Sequence, residues 1–236
     1  MLSPKTSLDE EEVSRGLRWL LWDGIASQLM ACLTGGAVLT GFAVLAGASH
    51  TSIGFIAAIA PLCQILQLPA VALVEHVRRR KLLVIACSVA ARPVWLAVAA
   101  IPWLTASWRV AVLIACLLVF NGLSTVASCA FNSWKRDIVP EYRMGSYFAR
   151  RLMLATLVGA VVTLLAGLLL DWGKDTGLDP LKLFSPIFVA GALAGMIGVL
   201  FLSRMPEPMM PTPGESSLWQ TLREPLREEN FRCLVI

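Results

Sequence analysis

Charged side chains are scarce in this chain, and the places where they are missing decide its class. Asp, Glu, Lys and Arg make up 15% of its 236 residues, against roughly 25% in an average soluble domain. Apart from His50, nothing charged lies between Asp23 and Glu75, and nothing at all between Arg109 and Lys135, Arg151 and Asp171, or Lys182 and Arg204. Runs of that length cross, or nearly cross, a hydrocarbon layer about 30 Å thick at about 1.5 Å per helical residue. A soluble fold is excluded. Histidine is equally sparse: His50 and His76 both fall at loop ends, so no Ser/His/Asp set and no metal-ligand spacing can be assembled, and neither an enzyme nor a metal or other cofactor is expected. The six cysteines include no CxxC pair, and Cys32, Cys63, Cys87, Cys116 and Cys129 lie inside apolar runs, where they read as small buried hydrophobes. No cleavable leader is expected either, because Met1 to Glu12 is polar and acidic and the first apolar run starts near Trp19.

What is present is an all-α membrane protein, a bundle of six transmembrane helices. The segments run from about Trp19 to Ala46, Ile53 to Val74, Leu82 to Trp103, Val110 to Phe131, Leu152 to Leu170 and Leu183 to Ser203. Pro61 and Pro69 should kink the second. Residues 1–18 form a tail, in which Ser7-Leu-Asp-Glu10 has the form of a capping box and predicts a helix from Leu8. Residues 19–203 form the bundle, and 204–230 a proline-bearing polar linker with a second capping box at Ser217-Leu-Trp-Gln220. Residues 231–236 resemble the start of a truncated seventh segment. The central stretch from Asn132 to Arg151 is a charged loop, with five Lys and Arg at 135, 136, 143, 150 and 151. Counted on alternate sides of six crossings, sixteen of the twenty Lys and Arg fall with the tail, three fall opposite, and Arg92 lies within the third segment. Cytoplasmic loops carry the excess of Lys and Arg, so the N-terminus is cytoplasmic. The net charge of +4 is that loop asymmetry, and no nucleic-acid partner is implied.

Two short patterns read as accidents of composition. Glu10-Glu11-x-x-x-Arg15 matches the Glu-Glu-x-x-x-Arg of intramembrane CAAX-type proteases, but it lies in a polar tail with no His on a following membrane helix. The final Cys233-Leu-Val-Ile236 spells a CAAX box with an atypical last residue.

Six helices, an inside tail and two basic inner loops together resemble the N-terminal half of a major facilitator superfamily transporter. The residues carrying the likeness are Arg18-Trp-Leu-Leu-Trp-Asp23-Gly24, Leu73-Val-Glu75-His-Val-Arg78-Arg79-Arg80-Lys81, and Trp134-Lys-Arg-Asp137-Ile-Val-Pro140 with Arg143-Met-Gly-x-Tyr-Phe-Ala-Arg150-Arg151. Glu75 stands where the family has Asp, and Arg78 where it has Gly, so Arg78 is expected to turn with an ordinary backbone. Leu118-Val-Phe-Asn121-Gly122 replaces the family's Arg-x-x-Gln-Gly. The resemblance implies a secondary active transporter in a cell membrane, the inner one if bacterial, paired with a C-terminal six-helix half of the same protein. It implies gating roles for Asp23, Glu75, Arg79, Asp137, Arg143 and Arg151. A non-transporting scaffold or receptor on the same fold is the alternative, and a channel a weaker third.

Depth along each helix selects the substrate-binding candidates. Gln28, Gln64 and Arg92 each lie about 15 to 17 Å from the inner face, and Asn121 about 18 Å from the outer one, so these polar groups share the midplane, where such transporters bind solute. Asn121, Thr125, Ser128 and Asn132 recur at helical spacing and predict one polar stripe, while Asp23, Ser27 and Thr34 make a weaker one. The partners expected are therefore the lipid bilayer and a small solute, anionic if it bonds the Arg92 guanidinium. In the central loop, Asp137 or Glu141 is expected to pair with the nearby arginines.

Overall fold

A backbone placed in hydrocarbon has to satisfy its own hydrogen bonds, and this sequence does so with helix. The computed structural model of the chain describes residues 9–138 and 144–209, and among them there is no strand. Six helical spans are long and apolar enough to cross a membrane: Glu10–Leu45, His50–Val77, Arg80–Trp103, Ala106–Ile138, Met144–Asp175 and Phe184–Ser203. Each falls on one of the six segments read from the sequence, which is the architecture of a multi-pass membrane protein. Arg143 and Glu141 lie outside the described residues. So do Ser7, the linker from residue 210 onward with its Ser217 capping box, and residues 231–236.

The spans depart from the sequence reading at their joints. The first is divided into α1 (Glu10–Thr34) and α2 (Gly36–Leu45) by an extended Gly35 and by Gly36 at φ +52°, an angle at which a side chain is strained. Helix α1 follows an Asp9 cap that makes no side-chain bond. In the second span, a 3-10 turn at Gln64–Leu66 separates α3 (His50–Cys63) from α4 (Gln67–Val77), between the two prolines that were expected to kink it. Ser49 caps α3 by accepting the Ser52 N–H at 3.2 Å. The third span is α5 (Arg80–Ala91) and α6 (Val94–Ala100), broken at Arg92 and Pro93, where the proline supplies no N–H. Then come α7 (Ala106–Ile138), α8 (Met144–Asp175) and α9 (Phe184–Ser203).

Two expectations about the charged segments are corrected. Arg78, which ends α4, does not turn with an ordinary backbone: at φ 53° and ψ 11° it takes the left-handed conformation that a glycine would take. The charged loop from Asn132 to Arg151 is largely helix, because α7 runs on through Ile138 and α8 begins at Met144. A 33-residue helix is about 50 Å long, well beyond about 30 Å of hydrocarbon, so the polar end of α7 has room to stand clear of the lipid.

Packing follows a regular exchange. Span one lies chiefly on spans six and five, span four lies chiefly on spans three and two, and spans three and six pack on one another. The apolar core falls into two clusters. One gathers Phe42, Trp95, Phe184 and Phe188, with Phe42 edge-on to Phe188 at 5.0 Å between ring centroids. The other gathers Leu20, Val84, Trp134, Leu202 and Met205.

Residues beyond span six fold back onto that second cluster. Trp134 Nε1 donates to the Pro206 carbonyl at 3.0 Å, and Lys81 Nζ donates to the Met205 carbonyl at 2.8 Å. The Lys81 N–H reaches Glu207 Oε1 at 3.0 Å. Arg80, only 1% exposed, donates to Asp137 Oδ2 at 2.6 Å, to Ser133 Oγ at 3.0 Å and to the Pro208 carbonyl at 3.3 Å. Among the described residues, Asp137 therefore pairs with the first residue of span three and not with Arg136, Arg150 or Arg151. The start of the linker is a strap across the ends of spans three and four.

A charged layer between two apolar clusters as the candidate functional site

The two apolar clusters leave a polar layer between them. Along span one, Asp23 and Ser27 come after Leu20 of one cluster and before Phe42 of the other; along span three, Ser88 and Arg92 come between Val84 and Trp95. On α7, Ser124 and Ser128 lie between Leu117 and Ala130. These side chains, with Arg151 from the start of α8 and Leu202 from α9, line a cavity of about 240 Å³. Its polar groups come from separate helices, so the bundle has to be assembled before the site exists.

The charges in this layer sit against bare backbone. Asp23 is 1% exposed and Arg92 7%. Arg92 donates to the Gly195 carbonyl on α9. A Cβ added to Gly198 would stand 3.2 Å from both Arg92 Nη1 and Asp23 Oδ1, and one added to Gly24 would run into the Arg151 guanidinium. Glycine at these positions is what lets charged groups approach the helices. Asp23 accepts a bond from Ser27 Oγ at 3.4 Å, and the charges of Arg92, Arg151 and Lys135 all act on it. Lys135 also lies 4.6 Å from the centre of the Phe131 ring. Arg151 Nε is buried and has no hydrogen-bond partner.

No family model, curated protein or solved structure matches the chain. The function of the site therefore rests on its own geometry.

That geometry regroups the residues named from the sequence. Asp23, Arg92, Ser128 and Arg151 come together around the cavity, although two of them were read as gating residues and two as solute ligands. The expected midplane set of Gln28, Gln64, Arg92 and Asn121 does not assemble. The Gln28 amide donates to Cys32 Sγ at 3.4 Å and lines a different groove, against Thr156, Gly159 and Asp171 of α8. Gln64 is exposed and bonded to Gln67. Asn121 donates to the Leu117 carbonyl at 2.8 Å, and Thr125 to the Asn121 carbonyl at 2.9 Å, so both bond to their own helix. The face of α7 turned to the cavity is Phe120, Ser124, Ala127, Ser128 and Phe131, one position round from the stripe that the sequence suggested. Asn132 is exposed. Of the remaining gating candidates, Glu75 and Arg79 lie near the left-handed turn at Arg78, and Asp137 lies in the strap contacts.

Ser88, Ser124 and the α9 glycines were missed. Ser88 precedes Arg92 by one helical turn and Ser124 precedes Ser128 by one, a spacing that puts each pair on one face. Gly191, Gly195 and Gly198 follow the small-residue spacing of close helix contacts. No group of three or more His, Cys, Asp or Glu able to hold a metal occurs among the described residues.

Proposed function

We propose that this bundle is one half of a secondary active transporter of the major facilitator type, moving a small solute by alternating access against a second six-helix bundle of the same protein. Its N-terminus lies on the cytoplasmic side, and it works by transport and not by catalysis. The observation that carries this reading is the exchange in the packing. Swapping spans one, two and three for four, five and six turns each principal contact into another: one on six becomes four on three, one on five becomes four on two, and three on six maps onto itself. Two three-helix repeats related in this way, inverted because each has an odd number of crossings, are how one half of such a transporter is built.

A second feature supports the same reading. Span two rests chiefly on span four, and span five chiefly on span one. Both carry exposed polar groups, Gln64 and Gln67 on span two and Thr156, Thr163 and Asp171 on span five. Polar side chains at membrane depth face protein or water in preference to lipid. A second bundle with a wet solute path between the two halves supplies both. The competing reading, a scaffold or receptor, draws on Asn121 and Thr125, whose bonds to their own helix leave them as packing groups.

Counterflow tests the two readings. The full-length protein is reconstituted in liposomes, screened against a panel of labelled organic acids, sugars, amino acids and cations, and assayed again as Gln28→Ala and Gln64→Ala. At least one solute should exchange, and the variants should slow it without loss of folded protein. Saturable binding without exchange for the whole panel would return the protein to the scaffold class.

A further inference from the structure

We propose that the charged layer holds a small monovalent anion, of the size of chloride, bromide or nitrate, between the guanidinium groups of Arg92 and Arg151. The site lies inside the one bundle, so it stands whether or not the bundle is half of a transporter.

Charge makes the first argument. Two guanidinium groups, which stay protonated at any physiological pH, face this layer, and Asp23 is the one described carboxylate whose charge acts there. Lys135 adds a further cation towards the end of α7. Positive charge in excess of negative, packed between two apolar clusters, is costly unless an anion compensates it. Asp23 does not close the account by itself. Among the described residues it forms no ion pair with either arginine, and its hydrogen bond is the one from Ser27.

Hydrogen bonding makes the second argument independently. Arg151 Nε is a buried donor without an acceptor, and such orphans are rare and costly in folded proteins. Arg92 spends one N–H on the Gly195 carbonyl, and a guanidinium has five. The Ser88 and Ser124 hydroxyls line the same cavity and can each donate one more bond. Donors from three helices therefore surround a space where acceptors are few, which is the chemistry of an anion site.

Size narrows the ligand. The cavity of about 240 Å³ is smaller than the roughly 300 to 1,000 Å³ typical of sites for larger organic ligands. At about 30 Å³ per water it takes a small ion with part of its hydration shell. Asp23 sets the affinity, since its carboxylate repels an anion bound to the same arginines.

Anion substitution at constant ionic strength tests this. The purified protein in lipid nanodiscs is melted in gluconate, a long polyhydroxylated anion that the largely apolar walls of the cavity do not match, and in mixtures with chloride, bromide or nitrate. A saturable rise in Tm with the small anions is expected. Arg151→Gln should remove it, and Arg151→Lys should weaken it by keeping the charge and losing the fork. Asp23→Asn should tighten apparent binding about tenfold or more, because a nearby like charge has gone. If Arg151→Gln does not fold, a bromide-soaked crystal of the unaltered protein decides, with an anomalous peak expected in contact with both guanidinium groups. Equal melting in gluconate and in all three small anions would overturn the proposal. So would a rise that persists unchanged in Arg151→Gln, or a bromide crystal without that peak.

Discussion

At Arg78 an ordinary side chain sits at φ 53°, where an L residue pays roughly 1 to 2 kcal/mol relative to the right-handed regions and glycine does not. The chain accepts this because α4 must stop and turn straight into α5, with Arg79 between them. Comparing two variants isolates the backbone effect, since both lose the same side chain. Arg78→Gly should melt higher than Arg78→Ala by the equivalent of about 1 kcal/mol, and equal Tm values would show that the turn relaxes. Two residues on, the Arg80–Asp137 pair raises a different question. Arg80 is 1% exposed and Asp137 34%, so removing the carboxylate strands a buried cation that water reaches from one side. Breaking a fully buried pair costs about 3 to 5 kcal/mol; here screening at Asp137 brings the expected loss for Asp137→Ala to about 2 kcal/mol. A thermal melt that shifts no further than one for Arg136→Ala, at an exposed neighbour, would show that Ser133 and the Pro208 carbonyl are enough for the guanidinium.

Between helices the decisive contact is the seam of α1 and α9. A Cβ on Gly191 would stand 2.5 Å from Thr34 Cγ2 and 3.3 Å from Leu33 Cβ, whereas one on Gly167 of α8 would meet nothing within 4 Å. Gly191→Val should therefore destabilise by about 1 to 3 kcal/mol through overpacking, and Gly167→Val should be close to neutral in a melt. Similar losses for both would mean that helix propensity and not the seam sets the cost. This seam marks how far the sequence could be read. Charge-free runs report hydrophobicity, and hydrophobicity was enough to find six spans, the kink between Pro61 and Pro69 and an arginine inside the third span. It says nothing about which helix lies against which. The tight approach falls at Gly191, Gly195 and Gly198 of α9, whereas Gly35 and Gly36 of span one break the helix. The site was legible to the same degree. Sequence position puts Arg92 between Val84 and Trp95 along span three, but position along a helix cannot give rotation about the axis. A one-position error in phase exchanged Ser124 for Asn121 and Thr125, and Asp23 and Arg151 were assigned to a gate when their side chains reach the same cavity as Arg92.

At the scale of the whole bundle, the even number of spans puts residues 9 and 209 on one side, and the strap contacts of Met205, Pro206, Glu207 and Pro208 with Arg80, Lys81 and Trp134 tie that side together. Among the described residues the same side carries eleven of the fifteen Lys and Arg, the bias that sets orientation during insertion. We predict that this side faces the cytoplasm. Ser133 is a poor reporter, because Arg80 donates to its hydroxyl at 3.0 Å. Gly145 is exposed with open space around it, and Ser107 is exposed at the opposite end of the bundle. With the native cysteines replaced, an impermeant thiol reagent applied to intact cells should label Ser107→Cys at once and Gly145→Cys only after permeabilisation. The reverse order would turn the protein over in the membrane. Equal labelling of both from outside would break the count itself, because a single crossing, α7, lies between Ser107 and the start of α8.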